Sequence, residues 1–118
     1  MADSGLFIGW GEVVRGREEK AVQVFNESLQ YYGQLQQEGR IESSDVCLLE
    51  PHGGDLAGFV ILRGSDEQLD AVHHDEEFER QLTRANLIVD GLGIVHAAFG
   101  EEIGRQMSMY QNEVAELV

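Results

Sequence analysis

The hydrophobic pattern at the start of the chain alternates with the period of a β-strand. Leu6, Ile8 and Trp10 fall on one face of the segment 6–14. Phe7 and the neighbouring glycines fall on the opposite face. Because successive side chains of a strand point to opposite sides of a sheet, this pattern predicts a first strand over 6–14. Apolar side chains would then stand on both faces of the sheet.

After Gly16 the apolar spacing changes to three and four residues, which is typical of a helix. The spacing predicts a long helix over 16–38, and Gly39 is a natural C-terminal stop. Neighbouring residues of a helix point about 100° apart, so Tyr31 and Tyr32 are expected to place one ring in the core and one at the surface. The stripe that this helix would bury consists of Ala21, Val24, Phe25, Ser28, Tyr32 and Leu35.

Two further strands are predicted over 41–50 and 56–63, which contain β-branched and other apolar residues. The segment 51–55 between them contains the only proline of the chain, a histidine and two glycines, and it is the clearest turn in the sequence. A turn this short joins antiparallel neighbours, so the two strands should form a hairpin.

The next region reads as a second helix that is interrupted once. Ser65 followed by Gln68 is the signature of a capping box at a helix start. The polar run 73–75 predicts a break, after which Asp75 would cap a new helical segment. Apolar residues continue this segment until Gly91 ends it.

A fourth strand is predicted over 92–99, and a C-terminal helix over 101–118. The apolar residues of this helix recur at spacings of four, three, four and three, a narrow seam of the kind that lies along another helix. They are Ile103, Met107, Tyr110, Val114 and Leu117.

The predicted order is therefore β-α-β-β-α-β followed by one helix, within a single domain over 1–118. This is the α+β pattern of a ferredoxin-like antiparallel sheet, with a core over 1–100 and an extra C-terminal helix over 101–118. Helices would cover one face of the sheet and leave the other face exposed to water. A second copy packed sheet to sheet would cover that face, so we expect a homodimer or a higher oligomer.

With this order of elements, the chain resembles the dimeric α+β barrel superfamily, which includes cofactor-free antibiotic-biosynthesis-type monooxygenases and YCII-like proteins. The resemblance covers roughly residues 6–100. Its closest local features are Leu62-Arg63-Gly64-Ser65 and, after an acidic helix, His74-Asp75-Glu76-Glu77-Phe78. The resemblance implies a homodimer that binds a small organic molecule, and it carries no catalytic residue over to this chain.

Composition narrows the range of partners. The formal net charge is −14, with 8 basic and 22 acidic side chains, and 42% of the residues are hydrophobic. Binding to nucleic acid needs clustered cations, and an anionic membrane surface would repel the chain, so neither partner is expected. The acidity indicates a well-solvated surface, or alternatively adaptation to high salt.

The single cysteine, Cys47, excludes an intramolecular disulfide and is expected to be structural. No basic stretch followed by an apolar run and a cleavage site opens the sequence, so no signal peptide is predicted. Apolar runs are also too short to span a bilayer. The expected location is the cytoplasm.

Among residues that could carry chemistry, His96 is the first candidate because it lies within a predicted strand that borders the core. The first and fourth strands neighbour each other in ferredoxin-like sheets, so Trp10 could lie near it. A pocket formed by Trp10, His96 and Tyr31 or Tyr32 would suit a small aromatic or polyketide-like ligand. The alternative is a structural histidine at the dimer face.

His73 is a further candidate for ligand binding. His73 and His74 are adjacent on a predicted helix and point apart, so they cannot bind one metal ion as residues four apart can. His73 with a nearby glutamate supplies only half of a metal site. No metal and no cofactor are predicted.

Three functions remain open from the sequence. The leading hypothesis is a homodimeric small-molecule-binding protein. The second is a cofactor-independent enzyme of the oxygenase or isomerase type, with His96 as base or hydrogen-bond donor and Trp10 shaping the pocket. The third is a pure assembly module, in which the C-terminal seam builds larger oligomers without any ligand.

Overall fold

The computed structural model describes residues 3–118, so Met1 and Ala2 of the predicted domain lie outside it. Four strands and four helices follow the predicted order, and the second helical region is divided in two at the predicted break. The strands are β1 (Ser4–Trp10), β2 (Ser43–Leu48), β3 (Gly58–Gly64) and β4 (Gly93–Ala98). The helices are α1 (Glu18–Gln37), α2 (Asp66–His73), α3 (Glu76–Asn86) and α4 (Glu101–Leu117).

The strands form one antiparallel sheet in the order β2-β3-β1-β4, which confirms the ferredoxin-like α+β fold predicted from the sequence. β2 and β3 pair as the predicted hairpin. The two central strands, β1 and β3, are the ones richest in buried apolar residues, while β2 and β4 are free edges.

Helices cover only one face of this sheet. Leu6 and Ile8 of β1 are almost fully buried there, opposite Leu62 and Val60 of β3. Aliphatic and aromatic side chains of α1, α2 and α3 complete the core. The main members from the helices are Tyr31, Tyr32, Leu35, Leu69, Val72 and Phe78.

The opposite face carries apolar side chains without any helix over it. Phe7 and Phe59 stack there with ring centroids 5.1 Å apart. The guanidinium of Arg63 lies over the Phe99 ring, 4.0 Å from its centroid. We call this the uncovered sheet face, and its apolar members are Phe7, Cys47, Phe59, Ile61, Val95 and Ala97.

Local signals explain where the helices begin and end. The capping box of α2 is complete, because Ser65 Oγ accepts from the Gln68 amide and the Gln68 side chain accepts from the Ser65 amide. Asp75 caps α3 by accepting from the backbone N–H of Glu77 at 3.1 Å. Gly39, with φ of 73°, ends α1 in the left-handed conformation that glycine adopts readily.

Two element ends differ from the prediction by four residues or more, and the others by at most two. The first strand was expected to reach residue 14, but β1 ends at Trp10. The reason is that Gly11 leaves the sheet and donates its N–H to the carbonyl of Asp90 at 2.7 Å. α3 ends at Asn86 and not at Gly91, and Ile88 and Val89 fill the second part of the core from the turn that follows.

The prediction for the two tyrosines was also wrong in part. Tyr31 and Tyr32 are both buried, with 9% and 5% of their surfaces exposed. Tyr32 faces the sheet, while Tyr31 lies on the side of α1 that faces α3. A helix covered on two sides buries a wider arc than one stripe.

α4 is the exception to this packing. None of its 17 residues is buried, although it follows β4 after two residues. Within residues 3–118, no helix combines the length and hydrophobicity that crossing a bilayer requires.

Candidate ligand-binding cavity

A cavity of about 400 Å³ lies between α1 and the helix-covered face of the sheet. Its floor is formed by Ile8, Trp10 and Val60, which share that face of β1 and β3. The volume falls within the usual range for small-molecule sites.

α1 supplies the wall opposite the floor. Ala21 and Ser28 are small, so α1 stands above the sheet without filling the space between them. Phe25 meets the indole of Trp10 edge to face, with ring centroids 6.2 Å apart. Tyr32 closes the end of the cavity that adjoins the main core.

The third wall comes from the end of α3 and the turn that follows. This wall is entirely aliphatic and separates the cavity from solvent on the β4 side. Its members are Leu82, Ala85, Ile88, Val89 and Leu92.

Polar groups in the cavity are few. Ser28 Oγ donates to Gln81 Oε1 at 3.3 Å. Burial raises the pKa of Tyr32 above its ordinary value, and the neighbouring Tyr31 adds to the effect, so the hydroxyl stays protonated near neutral pH. At the rim, the Glu18 carboxylate accepts the backbone N–H of Gly16, with N–O distances of 3.0 and 3.2 Å. The cavity thus suits a mainly apolar, uncharged molecule with one or two hydrogen-bonding groups.

The cavity opens toward β2, the edge strand. Val22 of α1 and Leu48 of β2 line it and are 63% and 67% exposed. Val46 lines it as well and is 44% exposed. These three side chains form an apolar rim, which is the part of the site most accessible from outside.

A second, polar groove of about 440 Å³ lies on the other side of α1, between α1 and α3. Tyr31, Arg40 and Glu77 line it. The buried hydroxyl of Tyr31 has no hydrogen-bond partner among the described residues, and burial, with the nearby Asp75 carboxylate, raises its pKa to about 12. Arg40 pairs with Asp75, and this contact lowers the pKa of the Asp75 carboxyl.

The histidines lie elsewhere. His96 pairs with Leu6 in the sheet register and stands exposed at the edge of β4. It is four positions from Trp10 along the sheet, or roughly 13 Å at the rise of a strand. The His73 ring lies beside it, with centroids 6.3 Å apart, and also contacts Phe78 at 6.0 Å.

The structure therefore brings together two of the five predicted site residues. Trp10 and Tyr32 line the same cavity. Tyr31 lines the polar groove, while His73 and His96 neighbour each other outside both. The catalytic role of His96 and the ligand-binding roles of Tyr31 and His73 stay predictions.

Sequence reasoning overlooked several members of the cavity. Phe25 and Ser28 were assigned to the buried stripe of α1 but not to a site. Val46 and Leu48 alternate along β2 on the helix-covered face, opposite Val60 and Gly58, and this alternation was the available signal. The missing information was the gap above them, which depends on where α1 crosses the sheet.

No three His, Cys, Asp or Glu side chains of residues 3–118 are grouped so that they could hold a metal ion.

No protein-family model and no curated protein matches the sequence. Solved structures do match the fold. A dimeric protein of unknown function with a ferredoxin-like fold from Bacteroides fragilis is 12% identical, with a TM-score of 0.60 over 81% of this chain and 96% of that chain. A protein of the ethyl tert-butyl ether d (EthD) family from Bacillus halodurans is 10% identical, with a TM-score of 0.61 over 83% and 99% of the two chains.

A third structure is a mutant of SnoaB, a cofactor-independent oxygenase from Streptomyces nogalater. It is 14% identical, with a TM-score of 0.56 over 84% of this chain and 93% of that chain. These likenesses show that the chain has a ferredoxin-like α+β fold, as the sequence predicted. At these identities the likeness concerns the fold and not the activity.

Proposed function

We propose that this protein is a homodimer that binds a small, largely apolar organic molecule in the cavity between α1 and the sheet. The observation that carries the proposal is the cavity itself, about 400 Å³ in volume and lined by Trp10, Phe25 and Tyr32 among aliphatic side chains. An open cavity with almost only apolar walls leaves hydrophobic surface in contact with water, and binding of an apolar molecule would remove that contact. A ring system between Trp10 and Tyr32 would fill the cavity.

The ligand class follows from the polar groups. Tyr32 remains a neutral hydroxyl, and Ser28 is already engaged with Gln81. The Glu18 carboxylate that lines the cavity, together with the net charge of −14, disfavours an anionic ligand. An uncharged aromatic or polyketide-like molecule with a hydroxyl or carbonyl group fits best.

Dimer formation is supported by the uncovered sheet face. Phe7 and Phe59 stack there in contact with solvent, and Val95 is 59% exposed. A contiguous apolar face on a soluble protein is typical of an interface. The Bacteroides fragilis protein of the same fold is described as dimeric.

The enzyme alternative has less support. A general base must reach the bound substrate, and His96, the predicted base, lies outside the cavity. Tyr32 is protonated and could donate a hydrogen bond but not accept a proton. SnoaB shares the fold and is a cofactor-independent oxygenase, so a screen for oxygen consumption with aromatic substrates remains the direct test of this alternative.

Binding is tested with N-phenyl-1-naphthylamine, an uncharged aromatic dye that fluoresces in apolar sites. Ala21→Phe and Ala85→Phe fill the cavity from two different elements, and each is expected to abolish dye binding. Ala71→Phe, on the exposed side of α2, is the matched control and should bind like the wild type. If both cavity-filling variants fold, by circular dichroism, and still bind the dye, the cavity is not the site.

Assembly is tested by native mass spectrometry. Val95→Glu places a charge on the uncovered sheet face at a position that the monomer already exposes, so folding should survive while the dimer dissociates. Leu87→Glu, at a site 57% exposed beyond α3, should remain dimeric. A monomeric wild type, or a dimeric Val95→Glu variant, would contradict the proposed interface.

A further inference from the structure

α4 carries an apolar stripe that its own chain leaves uncovered. Each member is at least 42% exposed, and together they run the length of the helix on one side. A solitary helix of this length is marginal in water, so its stability must come from packing against a partner. The members of this α4 stripe are Ile103, Met107, Tyr110, Val114 and Leu117.

The size of the interface points to a second copy as that partner. Four strands of six or seven residues present a flat face with a projected area of about 400 Å². This is a small footprint for a stable interface, which buries about 800 Å² of accessible surface on each partner. The α4 stripe, about 25 Å long and about 10 Å wide, supplies a large part of the difference.

The topology indicates where the helix would lie. β2 and β4 are the two free edges of the sheet. When two sheets pack face to face about a two-fold axis parallel to the strands, β4 of one copy lies opposite β2 of the other. α4 begins three residues after the end of β4, so it emerges at the Ser43 end of the partner's β2. Its 17 residues, about 25 Å long, can run back along that strand to Leu48.

The β2 edge is where the cavity opens. Its apolar rim, formed by Val22, Val46 and Leu48, is exposed in the single chain just as the α4 stripe is. A helix of 17 residues is long enough to cross this opening. Two exposed apolar surfaces then cover each other, which is the arrangement that removes most apolar area from water.

We propose that α4 of each subunit docks through its apolar stripe onto the rim of the partner's cavity. Each ligand site would then be built from both chains, with the partner's helix acting as a cover. This inference rests on the proposed homodimer, and it adds that the site is incomplete in one chain alone.

Disulfide trapping in the full-length protein tests the arrangement. In a Cys47→Ser background, the Leu48→Cys protein is mixed with the Met107→Cys protein and oxidised. A covalent heterodimer is expected, because Leu48 lies on the rim and Met107 lies on the stripe. Ser108→Cys is the matched control, since the next residue of a helix points about 100° away, and it should crosslink far less.

The dye provides a second measurement. Met107→Glu is expected to weaken binding of N-phenyl-1-naphthylamine about tenfold, the order of effect from losing one well-buried side-chain contact. Ser108→Glu adds the same charge outside the stripe and should leave binding unchanged.

The outcomes separate this inference from the proposed function. A native dimer in which Met107→Cys and Ser108→Cys crosslink equally, or not at all, overturns the docking of α4 but leaves the dimer and the cavity intact. A tetramer held together by α4 also overturns it and favours the assembly role of the seam. A monomer refutes the proposed homodimer itself.

Discussion

The indole of Trp10 lies so close to the backbone of Gly58 that a Cβ atom there would stand 2.8 Å from Cζ2 of the ring. The two residues are partners in the register of β1 and β3. Gly58 therefore lets the ring lie flat along the sheet and form the floor of the cavity. The shape of the site depends on a residue that contributes no side chain.

Gly58→Ala should move the indole and reduce dye binding. The added methyl group would also stand 2.9 Å from the Cys47 carbonyl oxygen, so β2 must shift, and we expect a loss of about 1–3 kcal/mol in the free energy of unfolding. Urea denaturation and dye titration measure the two effects. Gly93→Ala is the control, because nothing lies within 4 Å of a Cβ there. Equal behaviour of the two variants would contradict this account.

Alkaline pH should destabilise the protein through its buried tyrosines. The pKa of Tyr31 is raised from 10.0 to about 12, so the unfolded chain loses the tyrosine proton at a lower pH than the folded one. The stabilisation is complete below pH 10 and is lost as the pH rises through about 12.

Tyr31→Phe should remove part of this loss of stability at alkaline pH, measured as the change in the urea midpoint between pH 8 and pH 11. At neutral pH it should also stabilise the protein by up to about 1 kcal/mol, since the unpartnered buried hydroxyl is removed. Ser108→Ala, at an exposed position of α4 outside the stripe, serves as the comparison and should retain the full alkaline loss of stability. A Tyr31→Phe variant with unchanged pH dependence would argue against the burial of this hydroxyl.

Acid pH should destabilise the folded protein through the Asp75 carboxyl. Its hydrogen bond from Arg40, together with the bond from the Glu77 amide, lowers the pKa of the carboxyl in the folded state. The stabilisation is therefore present above the unfolded value of about 3.9 and is lost as the pH falls through the lower folded value.

Asp75→Asn preserves the helix cap but removes the charge. The part of the free energy of unfolding that is lost at acid pH through this carboxyl should therefore disappear. Urea denaturation at pH 6 and pH 3 measures it. Arg40→Gln should remove only the larger part of this pH dependence, because the Glu77 amide still donates to the Asp75 carboxylate. Full acid dependence in Arg40→Gln would show that Arg40 does not stabilise the charged carboxylate.

The thiol of Cys47 should report on assembly. Cys47 is a neighbour of Phe59 on the uncovered sheet face and is partly exposed in the single chain. We expect slow reaction with a thiol reagent in the dimer and at least about tenfold faster reaction in Val95→Glu, because burial excludes the reagent. Leu87→Glu should react as slowly as the wild type, and fast reaction of the wild type would argue against this face as the interface.

His96→Ala should leave dye binding unchanged, whereas Trp10→Ala should weaken it. The reason is position, since Trp10 lines the cavity and His96 stands at the edge of β4. Fluorescence titration of both variants measures the difference. Weaker binding by His96→Ala would extend the site toward β4 and restore His96 as a candidate base.

The sequence by itself determined the elements, their order and most of their ends. Those features depend on local rules, such as the alternation of Leu6, Ile8 and Trp10 and the capping box at Ser65, that act over a few residues. Element order and short connections then restrict the topology to few choices, and the ferredoxin-like sheet was among them.

Only the tertiary structure decided which side chains share a site. Both Trp10 and His96 lie on the helix-covered face, but the register of β1 and β4 sets His96 opposite Leu6 and far from Trp10. The cavity exists because α1 crosses the sheet with the small side chains of Ala21 and Ser28 turned toward it. The distance at which a helix crosses a sheet is a property of the two packed elements. No pattern within either segment encodes it, since packing depends on all the surfaces that meet.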